Sequence, residues 1–183
     1  MYHLVRFFIA CAIMAILASA GPAVAQGIHI VEYFGKGCPH GPVAQSISAE
    51  RKAATLHFEF DVFAVFPDAP KKECTLFVIL TEPGQADVEL VVHWYANGRE
   101  GVMVEERQTY LRGFHSRTGG ERFEGPGELP KDYDTALSVD AHSRDSKLPF
   151  FFVDLELELK RLPSSTADGF GVIKSLVVTV EPK

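Results

Sequence analysis

Residues 150–161 read Phe-Phe-Phe-Val-Asp-Leu-Glu-Leu-Glu-Leu-Lys-Arg and alternate with a period of two. Phe151, Val153, Leu155, Leu157 and Leu159 point one way, while Asp154, Glu156, Glu158 and Lys160 point the other. A helix turns by about 100° per residue and would scatter those leucines around its axis. A strand collects them on one face. That face must be laid against a second apolar layer, so the stretch commits the chain to a layered β architecture.

The same period recurs along the chain. Residues 28–34 (IHIVEYF) and 43–48 read as short strands. Residues 55–66 (TLHFEFDVFAVF) predict one long strand, with Leu56, Phe58, Phe60, Val62, Ala64 and Phe66 on a single face and His57, Glu59 and Asp61 opposite. Cys74–Thr81 reads as a central strand because both of its faces are apolar. Strands are also expected over 87–96, 101–111, 133–141 and 172–180. Asn97-Gly98 is a strong hairpin signal and predicts that 87–96 and 101–111 pair with each other. Residues 113–131 hold five glycines and two prolines and read as a long loop with at most a short strand near Phe123. No amphipathic helix separates these segments. The expectation is an all-β fold, an antiparallel β-sandwich of eight or nine strands, with a β-barrel as the alternative.

The first residues bear on the compartment. Arg6 precedes an apolar run from Phe7 to Ala20 that Ser19 alone interrupts, and Ala23-Val24-Ala25 follows a Gly-Pro break. Small residues at positions −3 and −1 suit signal peptidase, so residues 1–25 read as a cleaved signal peptide and 26–183 as one secreted domain. The run is shorter than the roughly 20 residues of a spanning helix. The expected location is therefore secreted or periplasmic, with no membrane attachment after cleavage. The remaining chain has 17 Lys+Arg against 24 Asp+Glu. This scattered acidic balance argues against nucleic acid as a partner.

Cleavage removes Cys11 and leaves Cys38 and Cys74. Two cysteines in an exported domain are expected to pair. The alternatives are free thiols or metal ligands, for which C-x-x-C spacing is absent.

Gly35-Lys-Gly-Cys-Pro-His-Gly41 resembles the Gly-x-Gly-Cys-Pro-x-Gly loop of a family of small secreted proteins of unknown function from fungi and bacteria. In that family the loop precedes an aromatic strand and then a second cysteine opening a strand that ends near Pro-Gly. Leu56, Phe58, Phe60 and Ala64, then Cys74, Leu76, Val78 and Leu80, then Pro83 and Gly84 stand in that order here. The resemblance covers about residues 28–92 and implies a secreted β domain with Cys38 paired to Cys74. It implies no activity. Further cysteines common in the second half of members are missing from this chain.

Catalytic signatures are weak. Gly-x-Ser-x-Gly is absent, and the glycines at 35 and 37 do not open a helix, so neither an acyl-transfer elbow nor a phosphate loop is expected. His29, His40, His57, His93, His115 and His142 are dispersed, and no His-x-x-x-His pair occurs. No catalytic residue, metal ligand or cofactor is assigned. Glu156 and Glu158 share a strand face at a spacing of about 7 Å, but any half-exposed strand shows such a pair. The candidate binding residues are His40, on the glycine-rich loop, with Trp94 and Tyr95, of which alternation sends one to the core. The leading expectation is a non-enzymatic exported module for an extracytoplasmic ligand, a glycan or a protein. The second class is a secreted hydrolase or metal-dependent enzyme using His40, His57 or Asp61.

Overall fold

Phe150–Arg161 is one uninterrupted strand, and its five inward side chains are all buried. The structure, a computed structural model, describes residues 28–39, 45–50, 53–61, 63–81, 84–126, 131–140, 148–163 and 165–183. Residues 1–25, read above as a signal peptide, lie outside the described residues, as do His40, Val62 and His142. Among those described, the strands in chain order are β1 (Ile28–Phe34), β2 (Gln45–Glu50), β3 (Ala53–Glu59), β4 (Ala64–Val65), β5 (Lys71–Leu80), β6 (Ala86–Gly98), β7 (Val102–Arg112), β8 (His115–Glu124), β9 (Lys131–Val139), β10 (Phe150–Arg161) and β11 (Gly169–Pro182).

Two antiparallel sheets result. Sheet A has the order β1-β5-β10-β7-β8, and sheet B has β2-β3-β11-β6-β9, with β4 also paired to β11. They stack as an open β-sandwich, not a closed barrel. The core lies between them, where Leu76, Val153, Leu155 and Leu157 of sheet A meet Leu56, Leu90, Val92 and Leu176 of sheet B. Burying one such leucine contributes about 1.5–3 kcal/mol.

Three expectations are corrected. First, β6 and β7 do not form a hairpin. Asn97 and Gly98 stay in β6, paired with Phe170 and Gly169 of β11, and the Arg99–Gly101 turn carries the chain into the other sheet. The two-residue hairpin joins β7 to β8 instead, with Arg112 opposite His115. Second, residues 115–124 are a full strand rather than loop. A Cβ at Gly120 would stand 2.3 Å from the Glu106 carbonyl oxygen, so glycine permits the close pairing that composition disguised as a loop. Third, the strand expected over 55–66 breaks after Glu59. Leu56, Phe58 and Phe60 are buried as expected, but then Phe63 and Val65 turn inward, and Phe66 is exposed.

The cause of that change is a bulge in β11. Trp94 of β6 faces Ile173 and His93 faces Ser175, which leaves Lys174 as the extra residue. Leu176, Val178 and Val180 are buried after it, but Ile173 is buried before it, so inside and outside exchange at Lys174. Residues 60–63 follow the change. The Phe60 N–H donates to the Lys174 carbonyl at 2.9 Å, and the Ile173 N–H donates to that of Phe63 at 2.9 Å.

The Gly35–Cys38 loop caps one end of sheet A. The Gly37 N–H donates to the Glu73 carbonyl at 2.9 Å, and Cys38 is disulfide-bonded to Cys74. Gly35 has φ 135°, and a Cβ on it would lie 2.2 Å from that same Glu73 oxygen. At Gly37 a Cβ would lie 2.6 Å from the ring of Phe63. Gly35 and Gly37 of the motif are therefore required by packing. Tyr33, Phe58, Phe60 and Phe63 form an edge-to-face row beneath the loop, with centroids 4.9–5.6 Å apart.

The inward row of β7 departs from the apolar rule. It runs Val102, Val104, Glu106, Gln108, Tyr110 and Arg112, all buried. Arg112 is satisfied by the carbonyls of Leu148 and Gly84. Glu106 is not: both of its carboxyl oxygens lack a hydrogen-bond partner. Burial pushes its pKa up to about 8. The Glu121 charge adds to the rise, and the nearby Thr135 hydroxyl and Glu121 backbone temper it.

Two outcomes are expected. Reducing the disulfide, which spans 36 positions, should lower the unfolding free energy by about 3.8 kcal/mol on the chain-entropy estimate, read from urea curves with and without reductant. Folding raises the Glu106 pKa, so the folded state retains a proton that the unfolded chain has lost. In buffer without divalent cations, stability should be greatest below about pH 4.5 as far as this group is concerned. It should decline by a few kcal/mol as pH rises to about 8 and then level off. Glu106→Gln should flatten that slope in thermal melts taken across the range.

Candidate functional site

The outward side of sheet B carries a row of aromatic rings that its strands bring together from distant positions. Phe66 follows β4 at the start of a tight turn, closed by reciprocal backbone hydrogen bonds with Ala69 of 3.2 and 3.0 Å around Pro67-Asp68. Val65 pairs with Gly171, which sets Phe66 beside Phe170 of β11, with centroids 6.5 Å apart. Phe170 in turn meets Tyr95 of β6 edge-to-face at 5.7 Å. The extra residue of the bulge, Lys174, places its ammonium 4.7 Å from the Tyr95 ring centre and 2.8 Å from Asp132 Oδ1 on β9. The hydrogen bond to Asp132 raises the Lys174 pKa, so the cation is fixed at neutral pH. Two residues before Tyr95 on β6, His93 Nδ1 lies 2.5 Å from Asp134 Oδ1.

At the Phe66 end this row becomes an open groove of about 490 Å³, lined by Phe66, Pro67, Asn97, Gly98, Arg99, Asp168, Gly169 and Phe170. Phe66 is 46% exposed and, with Phe170, gives the groove an apolar wall. Arg99 and Asp168 are exposed at the same end, and the Arg99 N–H donates to the Asp168 carbonyl at 3.3 Å. The groove thus joins an apolar ring surface to an amide, a guanidinium and a carboxylate, which supply both donors and acceptors. It has one carboxylate in its lining, whereas glycoside hydrolysis ordinarily takes a pair.

Trp94 and Tyr95 divide as alternation requires. Trp94 is 1% exposed, stacked on Tyr133 at 4.4 Å, and its Nε1–H donates to the Thr135 hydroxyl at 2.9 Å. It belongs to the core and has no ring face for a ligand. Tyr95 lies on the outward face next to the groove. His57 and Glu59 are exposed on β3, and Asp61 is exposed beyond it. Among the described residues, no group of three His, Cys, Asp or Glu is placed to hold a metal. Glu156 and Glu158 belong to an ion-pair lattice on the outside of sheet A, where Lys71, Arg107 and Lys160 reach them at 3.0–3.3 Å.

Sequence reasoning missed Phe66, assigned to the inner face, and Phe170, which precedes the strand expected over 172–180. The available signal was Phe66-Pro67-Asp68, a large apolar residue stranded at a turn.

The fold and site define an exported two-sheet β-sandwich with an open aromatic groove. No family model matches the chain. An uncharacterized secreted protein of the fungus Arthroderma benhamiae is 30% identical over 115 residues, which are 58% of this chain and 47% of that protein. The match thus spans about half the length of this curated relative. A VP2 subviral particle of infectious bursal disease virus overlays 76% of this chain and 32% of its own, with a TM-score of 0.41 and 11% identity. The xylan-binding module CBM15 overlays 87% of this chain and 99% of its own, with a TM-score of 0.38 and 14% identity. Such distant likenesses carry no argument about a ligand. The disulfide and the secreted relative agree on the compartment: the protein is secreted or periplasmic.

The two aromatic environments should separate in mutants. Phe66→Ala should change unfolding free energy by less than about 1 kcal/mol, because the ring is half in solvent. Trp94→Ala should cost about 3–5 kcal/mol. Chemical denaturation of the two variants is the measurement.

Proposed function

We propose that this protein is a non-enzymatic carbohydrate-binding module whose ligand lies in the groove at the end of sheet B. The observation that carries the reading is the half-exposed Phe66 ring beside Phe170, with Asn97, Arg99 and Asp168 at its edge. A pyranose offers the same division of surface. Its axial C–H face stacks on an aromatic ring, and its equatorial hydroxyls take hydrogen bonds in the plane. Asn97 both donates and accepts, Arg99 donates and Asp168 accepts, so vicinal hydroxyls can be satisfied together. The groove is open at its ends, which suits a chain passing through better than a small molecule held in a closed cavity. Tyr95, capped by Lys174, extends the row toward β9 and would meet a second sugar unit.

Affinity electrophoresis through gels containing soluble polysaccharides of neutral and acidic types tests the reading. Retardation by at least one type is expected. Phe66→Ala should weaken it about tenfold or more, the worth of a lost stacking contact. Asp168→Ala should weaken it without altering the melting temperature. Unchanged mobility in every gel, or retention indifferent to Phe66, would refute the proposal.

A further inference from the structure

A second constellation lies on the opposite side of sheet B, at the closed margin of the sandwich where β7, β8 and β9 meet. Glu106 and Gln108 occupy successive inward positions on β7, at 1% and 0% exposure. Three of their side-chain oxygens, both of Glu106 and Oε1 of Gln108, are buried without a hydrogen-bond partner. Buried acceptors are ordinarily satisfied, so three orphaned oxygens on one inward row mark a place where a donor or a cation is missing. Glu121 of β8 stands directly opposite Glu106 in register, on the same side of sheet A. Like charges so placed repel.

Thr135, on the facing strand β9, ties the cluster together. Its carbonyl accepts from Gln108 Nε2 at 3.0 Å, which holds that amide against β9. Its hydroxyl oxygen accepts from Trp94 Nε1 at 2.9 Å and lies 3.5 Å from Glu121 Oε2. The unfilled positions are all oxygens, two of a carboxylate and one of an amide, and the Thr135 hydroxyl beside them is a further oxygen. Hard divalent cations take that set.

We propose that Glu106, Gln108, Glu121 and Thr135 form a calcium site that joins β7, β8 and β9. Two carboxylates match the double charge, while neutral oxygens and water complete the six to eight ligands that calcium accepts in irregular geometry. Magnesium demands a near-ideal octahedron and fits this mixed set less well. Glu121 is exposed on edge strand β8, which gives the ion a path in from solvent. With two acidic ligands the affinity falls in the range of extracellular modules, a Kd on the order of 0.1–1 mM.

Terbium, a luminescent substitute for calcium, makes the test direct, because Trp94 is the chain's sole tryptophan and its indole is bonded to Thr135. Excitation of Trp94 in the purified protein should sensitise saturable terbium emission that millimolar calcium reverses. Calcium should also raise the melting temperature relative to EDTA. Glu106→Gln should abolish both effects, and Glu121→Gln should weaken both at least tenfold. Circular dichroism and the melting temperature in EDTA confirm that each variant is folded. Absence of sensitised emission and of a calcium-dependent melting shift in the wild type would overturn the site, leaving Glu106 as a carboxyl that merely holds a proton. Emission that survives Glu106→Gln would overturn it as well, by placing the ion elsewhere.

Discussion

Each sheet here has one apolar face, and neither face is tolerable in water. Their mutual burial holds the structure, and most other features follow from how the chain arranges it. Most connections between consecutive strands pass from one sheet to the other, so the two layers are interleaved in sequence and neither can assemble alone. Strand β5 shows the consequence. Cys74 through Val78 are buried on both faces, because the inner side meets the core while Phe150 and Phe152 cover Phe77 from outside, with centroids 5.3 and 5.1 Å away. Such a strand tolerates no charge, and the sequence puts its lysines and glutamate before Cys74, where the strand leaves the core.

What could be read beforehand followed the physics that acts locally. The period of two in 150–161 needs only neighbouring residues to be recognised, and it held along the whole of β10. The two-sided apolar run after Cys74 likewise announced a central strand, and the pairing of Cys38 with Cys74 followed from compartment and number. Pairing between strands is another matter. Asn97-Gly98 has the chemistry of a hairpin, yet whether a strand returns beside its neighbour or crosses to the other layer depends on distant partners. Here Gly169 and Phe170 occupy the position that a hairpin would have used. Gly119 and Gly120 misled in the opposite sense, since close strand contact and loop flexibility select the same residue.

The groove was the least legible part. Phe66, Phe170 and Asn97 are far apart in sequence, and Phe66 sits where a change of strand parity reverses the expected side. The Gly-x-Gly-Cys-Pro loop, the most recognisable stretch of the chain, has a structural explanation in its described part. Gly35 clears a carbonyl, Gly37 clears Phe63, and Cys38 anchors the end of sheet A. A memorable motif therefore marks the scaffold, while the residues that line the groove carry no signature.

The additional residue at Lys174 has an implication for how such a surface could diverge among descendants. Removing it would turn Gly171 and Ile173 out to solvent and bring Val172 into the interior, so that strand's length is locked by the interior it serves. Exchange of one side chain for another at Phe66, Tyr95, Phe170 or Lys174 carries no such penalty. Novelty in recognition would thus arrive by replacement at constant length, and insertions or deletions would be confined to the connecting turns.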